Sequence, residues 1–195
     1  MVANRLNLFE SEQLDARTLI QPKQVHSNVC VSATDFVPGM QADATYSKSS
    51  NHLLSILTAD CLPILVYHPD GTVAAIHAGW RGLYEEIIPK TLALLPPHTN
   101  VAIGPSIGPC CYEVGEDLAE QFAQKFGSGV VVAEKDKPHL DLRSAAILQL
   151  QESDVDEIDV CEICTSCHPD LLFSYRRDGS SGRMMSYIGL ISNKS

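Results

Sequence analysis

The sequence of 195 residues lacks the features that mark several broad classes of protein. It contains no run of about 18 apolar residues, so a transmembrane helix is excluded. Its first residues do not combine a basic stretch with an apolar one, so we expect no secretory signal and a cytoplasmic location. Internal repeats and low-complexity linkers are also missing. With 45% hydrophobic residues, a chain of this length is expected to form a single domain, 1–195.

Positive charge is scarce in this chain. Lys and Arg total 14, against 24 Asp and Glu, which gives a formal net charge of -10. A phosphate backbone would be repelled by the average field of such a protein, so nucleic acid is not an expected partner. A small anionic substrate remains compatible with this charge, because a few local arginines offset it.

Cysteine is present in an odd number, seven, and seven histidines accompany it. Without a secretory signal, this count argues against a secreted disulfide framework. Reduced thiols serve as small buried hydrophobes, metal ligands or nucleophiles. The Cys and His residues that lie together in the fold are therefore the candidates for function.

The hydrophobic pattern predicts a mixture of strands and helices. Apolar runs at 53–57, 63–67 and 72–76 read as strands, and the turn sequence at 68–71 joins the last two into a hairpin. Helices are predicted at 4–9, 82–95, Glu116–Phe126 and 141–151, and Pro89 would kink the second one or end its first part. Further short strands are predicted at 101–103, 130–133, 158–161 and 184–191. We expect an α/β or α+β sandwich with a mixed sheet.

Three residues, His26, Cys61 and His77, stand out as a candidate site. Cys61 and His77 each lie at the end of a predicted strand, so the hairpin would bring them close together. Two imidazoles and one thiolate form a three-ligand set with one open position, as in catalytic zinc sites, and the same set suits copper. Two alternatives remain open: Cys61 as a nucleophile activated by a histidine, or all three as packing residues.

Five motifs occur in an order that resembles one known family. They are Gln-Val-His at 24–26, Thr-Ala-Asp-Cys-Leu-Pro at 58–63, His-Ala-Gly-Trp-Arg-Gly at 77–82, Gly-Pro-Ser-Ile-Gly-Pro-Cys-Cys-Tyr-Glu-Val at 104–114 and Phe-Ser-Tyr-Arg-Arg-Asp-Gly at 173–179. Together they resemble the laccase-domain family of multicopper polyphenol oxidoreductases. Its members are also described as purine nucleoside phosphorylases with adenosine deaminase activity and as peptidoglycan editing factors.

The resemblance implies a cysteine-hydrolase-like α/β sandwich. It also implies that His26, Cys61 and His77 bind one metal ion, usually zinc. Members of the family usually carry several dozen residues before the Asn-Arg seen here at 4–5, so we expect this chain to lack that N-terminal segment.

Other motif residues have candidate roles in substrate binding and catalysis. Arg81 and Arg177 would bind a phosphate or carboxylate, because a guanidinium recognises such groups through paired hydrogen bonds. Asp60 precedes Cys61 and would act as a catalytic base beside it. It would equally orient a ligand histidine or cap a turn.

The remaining cysteines raise the question of a further metal. Cys164, Cys167 and His168 form a short run that would hold an extra ion, copper included, or have no such role. Cys110 and Cys111 are adjacent. Since neighbouring side chains of an extended chain point in opposite directions, at most one of these two would face the site of His26, Cys61 and His77, and a packing role is the alternative.

Three functions are compatible with these residues. The first is a zinc-dependent purine nucleoside phosphorylase that converts adenosine or inosine and phosphate to base and ribose 1-phosphate, with adenosine deamination as a side activity. The second is a copper-dependent oxidase of phenols, although the chain has no His-x-His pair of the kind that multicopper oxidases use. The third is a metal-binding or peptidoglycan quality-control protein with little turnover. We expect a monomer or homodimer and no membrane partner.

Overall fold

A computed structural model describes residues 2–11, 18–132, 136–180 and 182–190 of the protein, with the backbone alone at 2–6. The helices are α1 (Val2–Ser11), α2 (Trp80–Tyr84), α3 (Ile87–Leu92), α4 (Glu116–Phe126), α5 (Leu142–Gln151) and α6 (Tyr175–Asp178). The strands are β1 (Leu19–Ile20), β2 (Cys30–Ser32), β3 (Ala44–Ser47), β4 (Leu53–Thr58), β5 (Leu62–Tyr67), β6 (Val73–Ala78), β7 (Thr99–Ile103), β8 (Val131–Val132), β9 (His139–Leu140), β10 (Val155–Val160) and β11 (Met184–Gly189).

A six-stranded sheet of order β10-β7-β5-β6-β3-β2 forms the centre of the fold. Its middle strands are antiparallel, whereas β7 and β10 at one edge and β2 and β3 at the other are parallel. The predicted hairpin is β5–β6, which runs from the pair Leu62 and Ala78 to the pair Tyr67 and Val73. A mixed sheet was expected from the sequence, and the structure confirms it.

The two faces of this sheet are covered by different layers. Alternate residues of β6, Ala74 and Ile76, pack with the helices α2 to α5 in the main core. The residues that alternate with them along β6, Val73 and Ala75, pack with Leu54 of the smaller sheet β1-β4-β11. Because successive side chains of a strand point to opposite faces, one apolar strand is buried on both sides.

The helix predicted at 82–95 is two short helices, α2 and α3. The helical conformation is interrupted at Glu86, which has a left-handed backbone with φ 67°. Pro89 lies in the first turn of α3, where its missing N–H would have no helical partner in any case. The prediction that Pro89 ends the first part was therefore wrong, since the break lies three residues earlier.

Most other predicted elements are present with shifted ends. Asp141 is the N-cap of α5 and accepts hydrogen bonds from the backbone N–H groups of Arg143 and Ser144. In the strand predicted at 130–133, Val130 belongs to a 3-10 helix instead and position 133 lies outside the described residues, as does 191 of the last predicted strand. No helix among the described residues has the length and apolarity that crossing a bilayer requires.

Candidate metal centre

His26, Cys61 and His77, here called the trio, come together at one end of the β5–β6 hairpin. Cys61 directly precedes β5, His77 lies in β6 opposite Pro63, and His26 comes from the loop before β2. Their ligand atoms all lie within 4.8 Å of one another. Cys61 Sγ is 3.8 Å from His26 Nε2. His77 is buried, Cys61 is half-buried and His26 is exposed, so the trio opens to solvent on one side.

A buried carboxylate, Asp43, holds two parts of the trio in place. Its Oδ1 lies 2.8 Å from Nδ1 of His77, and its two oxygens also accept the backbone N–H groups of Val25, His26 and Ser27. Since Nδ1 of His77 donates to this carboxylate, its other ring nitrogen, Nε2, is the one that can bind a metal, which displaces the proton that Nε2 carries in the charged ring. Asp43 thus supports both histidines at once.

Asp43 was not predicted from the sequence. It directly precedes β3, which pairs with β6, and its own carbonyl oxygen accepts the backbone N–H of His77 at 2.7 Å. The available signal was a single carboxylate between Ala42 and Ala44, which are both fully buried. An acidic residue in a run of small buried residues needs a partner, so it indicates a structural or functional role.

Hydrogen bonding keeps the Asp43 carboxylate charged. Burial alone would raise its pKa, but hydrogen bonds from His77 and Ser27 outweigh burial and lower the pKa to about 2. The carboxylate is therefore an anion throughout the neutral range, as its role beside an imidazole requires.

The Cys61 thiol is held in its reactive form. Burial raises its pKa, but hydrogen bonds and positive charge from His26 and His77 outweigh that effect and lower the pKa to about 6. For His77, burial lowers the pKa, and the hydrogen bonds with Asp43 and Cys61 outweigh it and raise the pKa to about 9. A thiolate at neutral pH is the form of cysteine that binds a metal.

The donor set and its spacing fit a metal ion. In a tetrahedral zinc site a sulfur and a nitrogen ligand lie about 3.6 Å apart, given the usual bond lengths. The 3.8 Å between Cys61 Sγ and His26 Nε2 is close to that value. Three protein donors leave one position for a substrate or water, so the trio is suited to chemistry rather than to closed structural binding.

A model of the family described as multi-copper polyphenol oxidoreductase laccase matches residues 1–191. The chain belongs to this laccase family. It is 35% identical over 195 residues to a Shigella flexneri protein named purine nucleoside phosphorylase YfiH, across 96% of this chain and 80% of that protein. It is 38% identical over 197 residues to a Deinococcus radiodurans protein named purine nucleoside phosphorylase, across 96% and 76%.

A solved structure shows the same family fold. The crystal structure of a Neisseria meningitidis protein has a TM-score of 0.88 and 34% identity, across 97% of this chain and 80% of that one. The family assignment and the α+β fold with a mixed sheet, both predicted from the sequence, are confirmed.

Asp60 lies beside the trio in an unusual backbone conformation. Its φ is 95°, and that of His26 is 61°, both in the left-handed region that residues other than glycine rarely adopt. One carboxylate oxygen of Asp60 accepts the hydroxyl of Thr165 at 2.6 Å, and the other accepts the backbone N–H of Arg176 at 2.7 Å. Asp60 therefore ties two later segments of the chain to the position next to Cys61.

The two arginines predicted to bind substrate have different surroundings. Arg81 is exposed, and its guanidinium lies 5.0 Å from the ring of Trp80. The Arg177 guanidinium donates to the Asp178 carboxylate and to three carbonyl oxygens, which belong to Thr165, Ser166 and Leu172. These bonds use all five of its N–H groups. The geometry corrects the prediction that Arg177 binds an anion. Its guanidinium holds the segment from Thr165 to Leu172 and has no N–H group left for an anion.

Arg176 is better placed than Arg177 to meet an anion. Its guanidinium lies 5.0 Å from the ring of Tyr112, and it donates to the carbonyl oxygen of Glu113. Burial raises the pKa of Tyr112 to about 12, and the nearby negative charge of Cys61 contributes. Tyr112 and Arg176 therefore lie beside the trio, in two of the motifs that characterise the family.

The thiols of Cys110 and Cys111 both approach that of Cys167, at 3.6 and 3.4 Å. The two residues lie in a turn rather than in an extended chain, so their side chains need not point in opposite directions. His168 stays outside this group: its Nδ1 lies 2.9 Å from the carbonyl oxygen of Cys164.

Two surface concavities formed by described residues, of about 450 and 200 Å³, include no member of the trio. The larger lies between the end of α3 and the segment before β10, and the smaller lies beside Tyr67 and Asp159. The trio is reached instead from the open side, next to the exposed ring of His26.

Gly79 offers a test of the trio. A Cβ at this position would lie 3.1 Å from both Cys61 Sγ and His26 Cδ2. We expect Gly79→Ala to weaken zinc binding about tenfold, since both ligands must move by a few tenths of an ångström. Competition with a chromophoric chelator measures this affinity.

The matched control for Gly79→Ala is Gly115→Ala. Both glycines are helix N-caps with extended backbones, and no atom lies within 4 Å of a Cβ at Gly115. The cost of replacing a capping glycine is therefore common to both variants. Equal zinc affinity in the two variants would show that the metal does not bind between Cys61 and His26.

Proposed function

We propose that this protein is a zinc-dependent purine nucleoside phosphorylase with adenosine deaminase activity. It would convert adenosine or inosine and phosphate to the free base and ribose 1-phosphate. The observation that carries the proposal is the open three-donor centre of His26, Cys61 and His77, supported by Asp43. The names of the relatives at 35% and 38% identity support the same reaction.

The trio would hold the metal through Nε2 of both histidines and the Cys61 thiolate. Zinc supplies Lewis-acid chemistry, in which a substrate oxygen is polarised without a change in the oxidation state of the metal. Asp43 fixes the ring of His77 and the backbone around His26, so the donors are held in place before the ion arrives.

Phosphorolysis also requires a positive site for phosphate. A phosphate oxygen attacks C1′ of the ribose, the C–N bond to the purine breaks, and the departing base takes up a proton. Arg81 and Arg176 are exposed, and both carry guanidinium groups on the segments that surround the trio. We propose that they bind the phosphate, with Arg177 holding the loop behind Arg176.

Asp60 is the proposed proton carrier. Its two oxygens accept one hydrogen bond each, from Thr165 and Arg176. A carboxylate has about four lone-pair positions, so acceptor capacity remains for a substrate proton. In phosphorolysis Asp60 would take this proton from dihydrogen phosphate and pass it to the leaving base. In deamination it passes from the attacking water to the departing amino group.

Copper-dependent oxidation of phenols is the second candidate, because the family description names a multi-copper polyphenol oxidoreductase. A His/Cys centre binds Cu(II) more tightly than Zn(II) whatever its resident ion. Oxidation that appears only after copper is added would therefore be an acquired property. The sequence has no His-x-His pair to build a centre of several coppers.

The test uses protein purified without added copper. Its metals are determined by elemental analysis, and adenosine and inosine are assayed with phosphate, beside phenol oxidation before and after Cu(II). We expect zinc, of which His26→Ala loses one ion per chain, formation of base and ribose 1-phosphate, and phenol oxidation only with copper. His98→Ala, which changes an exposed histidine paired with Asp156, is the control. Native copper with phenol turnover and no nucleoside cleavage would overturn the proposal.

The state of the cysteines supports a cytoplasmic location, which we include in the proposal. All seven cysteines are reduced, and the two that lie outside both the trio and the sulfurs near Cys167, Cys30 and Cys161, are half-buried. Proteins rich in reduced thiols belong to reducing compartments.

A further inference from the structure

Four cysteines outside the trio form a second cluster, here called the thiol cluster: Cys110, Cys111, Cys164 and Cys167. Their sulfur atoms all lie within 4.8 Å of one another. Cys167 Sγ is 3.6 Å from Cys110 Sγ and 3.4 Å from Cys111 Sγ. Nothing in the proposed phosphorylase reaction uses these residues.

The spacing of the thiol cluster matches that of a tetrathiolate metal site. With zinc–sulfur bonds of about 2.3 Å, the sulfurs at the corners of a tetrahedron lie about 3.8 Å apart. The separations of 3.4 and 3.6 Å at Cys167, and the limit of 4.8 Å for the whole group, bracket that value. A disulfide would join Cys167 to only one neighbour and leave two thiols without a role.

Backbone N–H groups point at the most buried thiol of the cluster. The N–H of Gly108 donates to Cys164 Sγ at 3.2 Å. Burial raises the pKa of Cys164, but hydrogen bonds from the backbone of Gly108, Cys167 and Ser166 outweigh it and lower the pKa to about 7. Donors of this kind stabilise a thiolate, as in metal sites whose ligand sulfurs accept backbone hydrogen bonds.

A positive charge and an open side complete the surroundings. A Cβ on Gly108 would lie 3.3 Å from Cys110 Sγ and 2.9 Å from Nη2 of Arg143, so a guanidinium flanks the thiols. It would offset part of the charge that four thiolates leave on a divalent ion. Cys110 and Cys167 are exposed, which gives an ion a path from solvent.

The thiol cluster joins two loops that follow neighbouring parallel strands at the same end of the large sheet. Cys110 and Cys111 follow β7, whereas Cys164 and Cys167 follow its parallel neighbour β10. Ser106 and Cys164 form a bridge between the loops. Thr165, next to Cys164, donates its hydroxyl to Asp60. The cluster is thus placed to brace the loop that holds Asp60 beside the trio.

We propose that Cys110, Cys111, Cys164 and Cys167 bind one Zn²⁺ as a closed structural site, separate from the trio. Four sulfur donors in a tetrahedral arrangement favour zinc, and they leave no open position for a substrate. Cys110 and Cys111 replace His168 as the partners of Cys164 and Cys167. The proposal does not depend on the phosphorylase reaction, since it concerns a different ion and different ligands.

The first test counts zinc in three proteins prepared under reducing conditions. Elemental analysis is expected to find two zinc ions per chain in the unaltered protein and one in the double variant Cys110→Ser with Cys167→Ser. Cys161→Ser is the control, since this cysteine belongs to neither group, and it should retain two. One zinc in both the unaltered protein and the double variant would overturn the proposal.

The second test does not depend on whether the double variant folds. In His26→Ala the trio loses a ligand, and X-ray absorption of the zinc that remains is expected to show four sulfur neighbours. Nitrogen or oxygen neighbours at that zinc, iron or copper in its place, or a disulfide at Cys167 in freshly reduced protein would each overturn the assignment. Failure of the unaltered protein to cleave nucleosides, with the zinc of the thiol cluster present, would count against the phosphorylase proposal alone.

Discussion

Replacing Asp60 by asparagine is expected to lower kcat for nucleoside cleavage about a hundred- to ten-thousand-fold, the range that a positioned acid or base contributes. Asparagine keeps the size of the side chain and, among residues with a Cβ, tolerates the left-handed backbone at φ 95°. Its amide cannot carry the proton between the two reaction partners. KM for the nucleoside should change much less, because binding groups remain in place.

Thr165→Val separates proton transfer from positioning at Asp60. It removes the hydroxyl that donates to Asp60 at 2.6 Å and leaves the carboxylate itself. If Asp60 carries the proton, Thr165→Val retains most of kcat while Asp60→Asn loses it. If both variants lose the same large fraction of kcat, Asp60 acts only by holding the loop at 165 and 176, and the catalytic assignment is wrong. Zinc content should be equal in both variants.

The parts of the fold that could be predicted from the sequence are those held by neighbours along the chain. The hairpin β5–β6 follows from two apolar runs and a turn sequence of four residues between them. Helix α4 follows from an apolar face that ends at Gly127. Both patterns are local, so propensity and periodicity suffice to predict them.

The parts that could not be predicted depend on distant contacts or on turn geometry. Asp43 lies 34 residues from His77 in the chain, and only the pairing of β3 with β6 brings them together. Arg177 looked like an anion binder because three of its five hydrogen bonds go to carbonyl oxygens, which no side-chain pattern reveals. The thiol cluster was not predicted for a third reason. The backbone at Cys110 and Cys111 was assumed to be extended, and the turn that directs both side chains toward Cys167 forms only in the folded loop.

Asp43→Asn is expected to weaken zinc binding at the trio by about ten- to a hundredfold, the usual cost of losing the partner of a ligand histidine. An amide places an N–H group against either His77 or the donors of Ser27, because both carboxylate oxygens are already acceptors. In the first orientation His77 loses the hydrogen bond that directs Nε2 toward the metal, and in the second the backbone on either side of His26 loses its acceptor. A chelator competition measures the affinity, and Asp156→Asn is the control, since Asp156 pairs with the exposed His98 at 2.9 Å.

The same variant should destabilise the metal-free protein by about 3 kcal/mol at neutral pH, the cost of breaking a fully buried charged pair. The effect has a defined pH dependence. The pKa of Asp43 is about 2 in the folded chain and ordinarily 3.8, so its stabilisation is complete above about pH 4 and is lost as the pH falls toward 2. Denaturant unfolding measures the free energy of unfolding of the unaltered protein and of Asp43→Asn. The difference between the two should become smaller as the pH falls toward 2. A difference in unfolding free energy that does not change with pH would mean that Asp43 stabilises the fold through shape alone. The control Asp156→Asn should have almost the same unfolding free energy as the unaltered protein at any pH, because the pair of Asp156 with His98 is exposed.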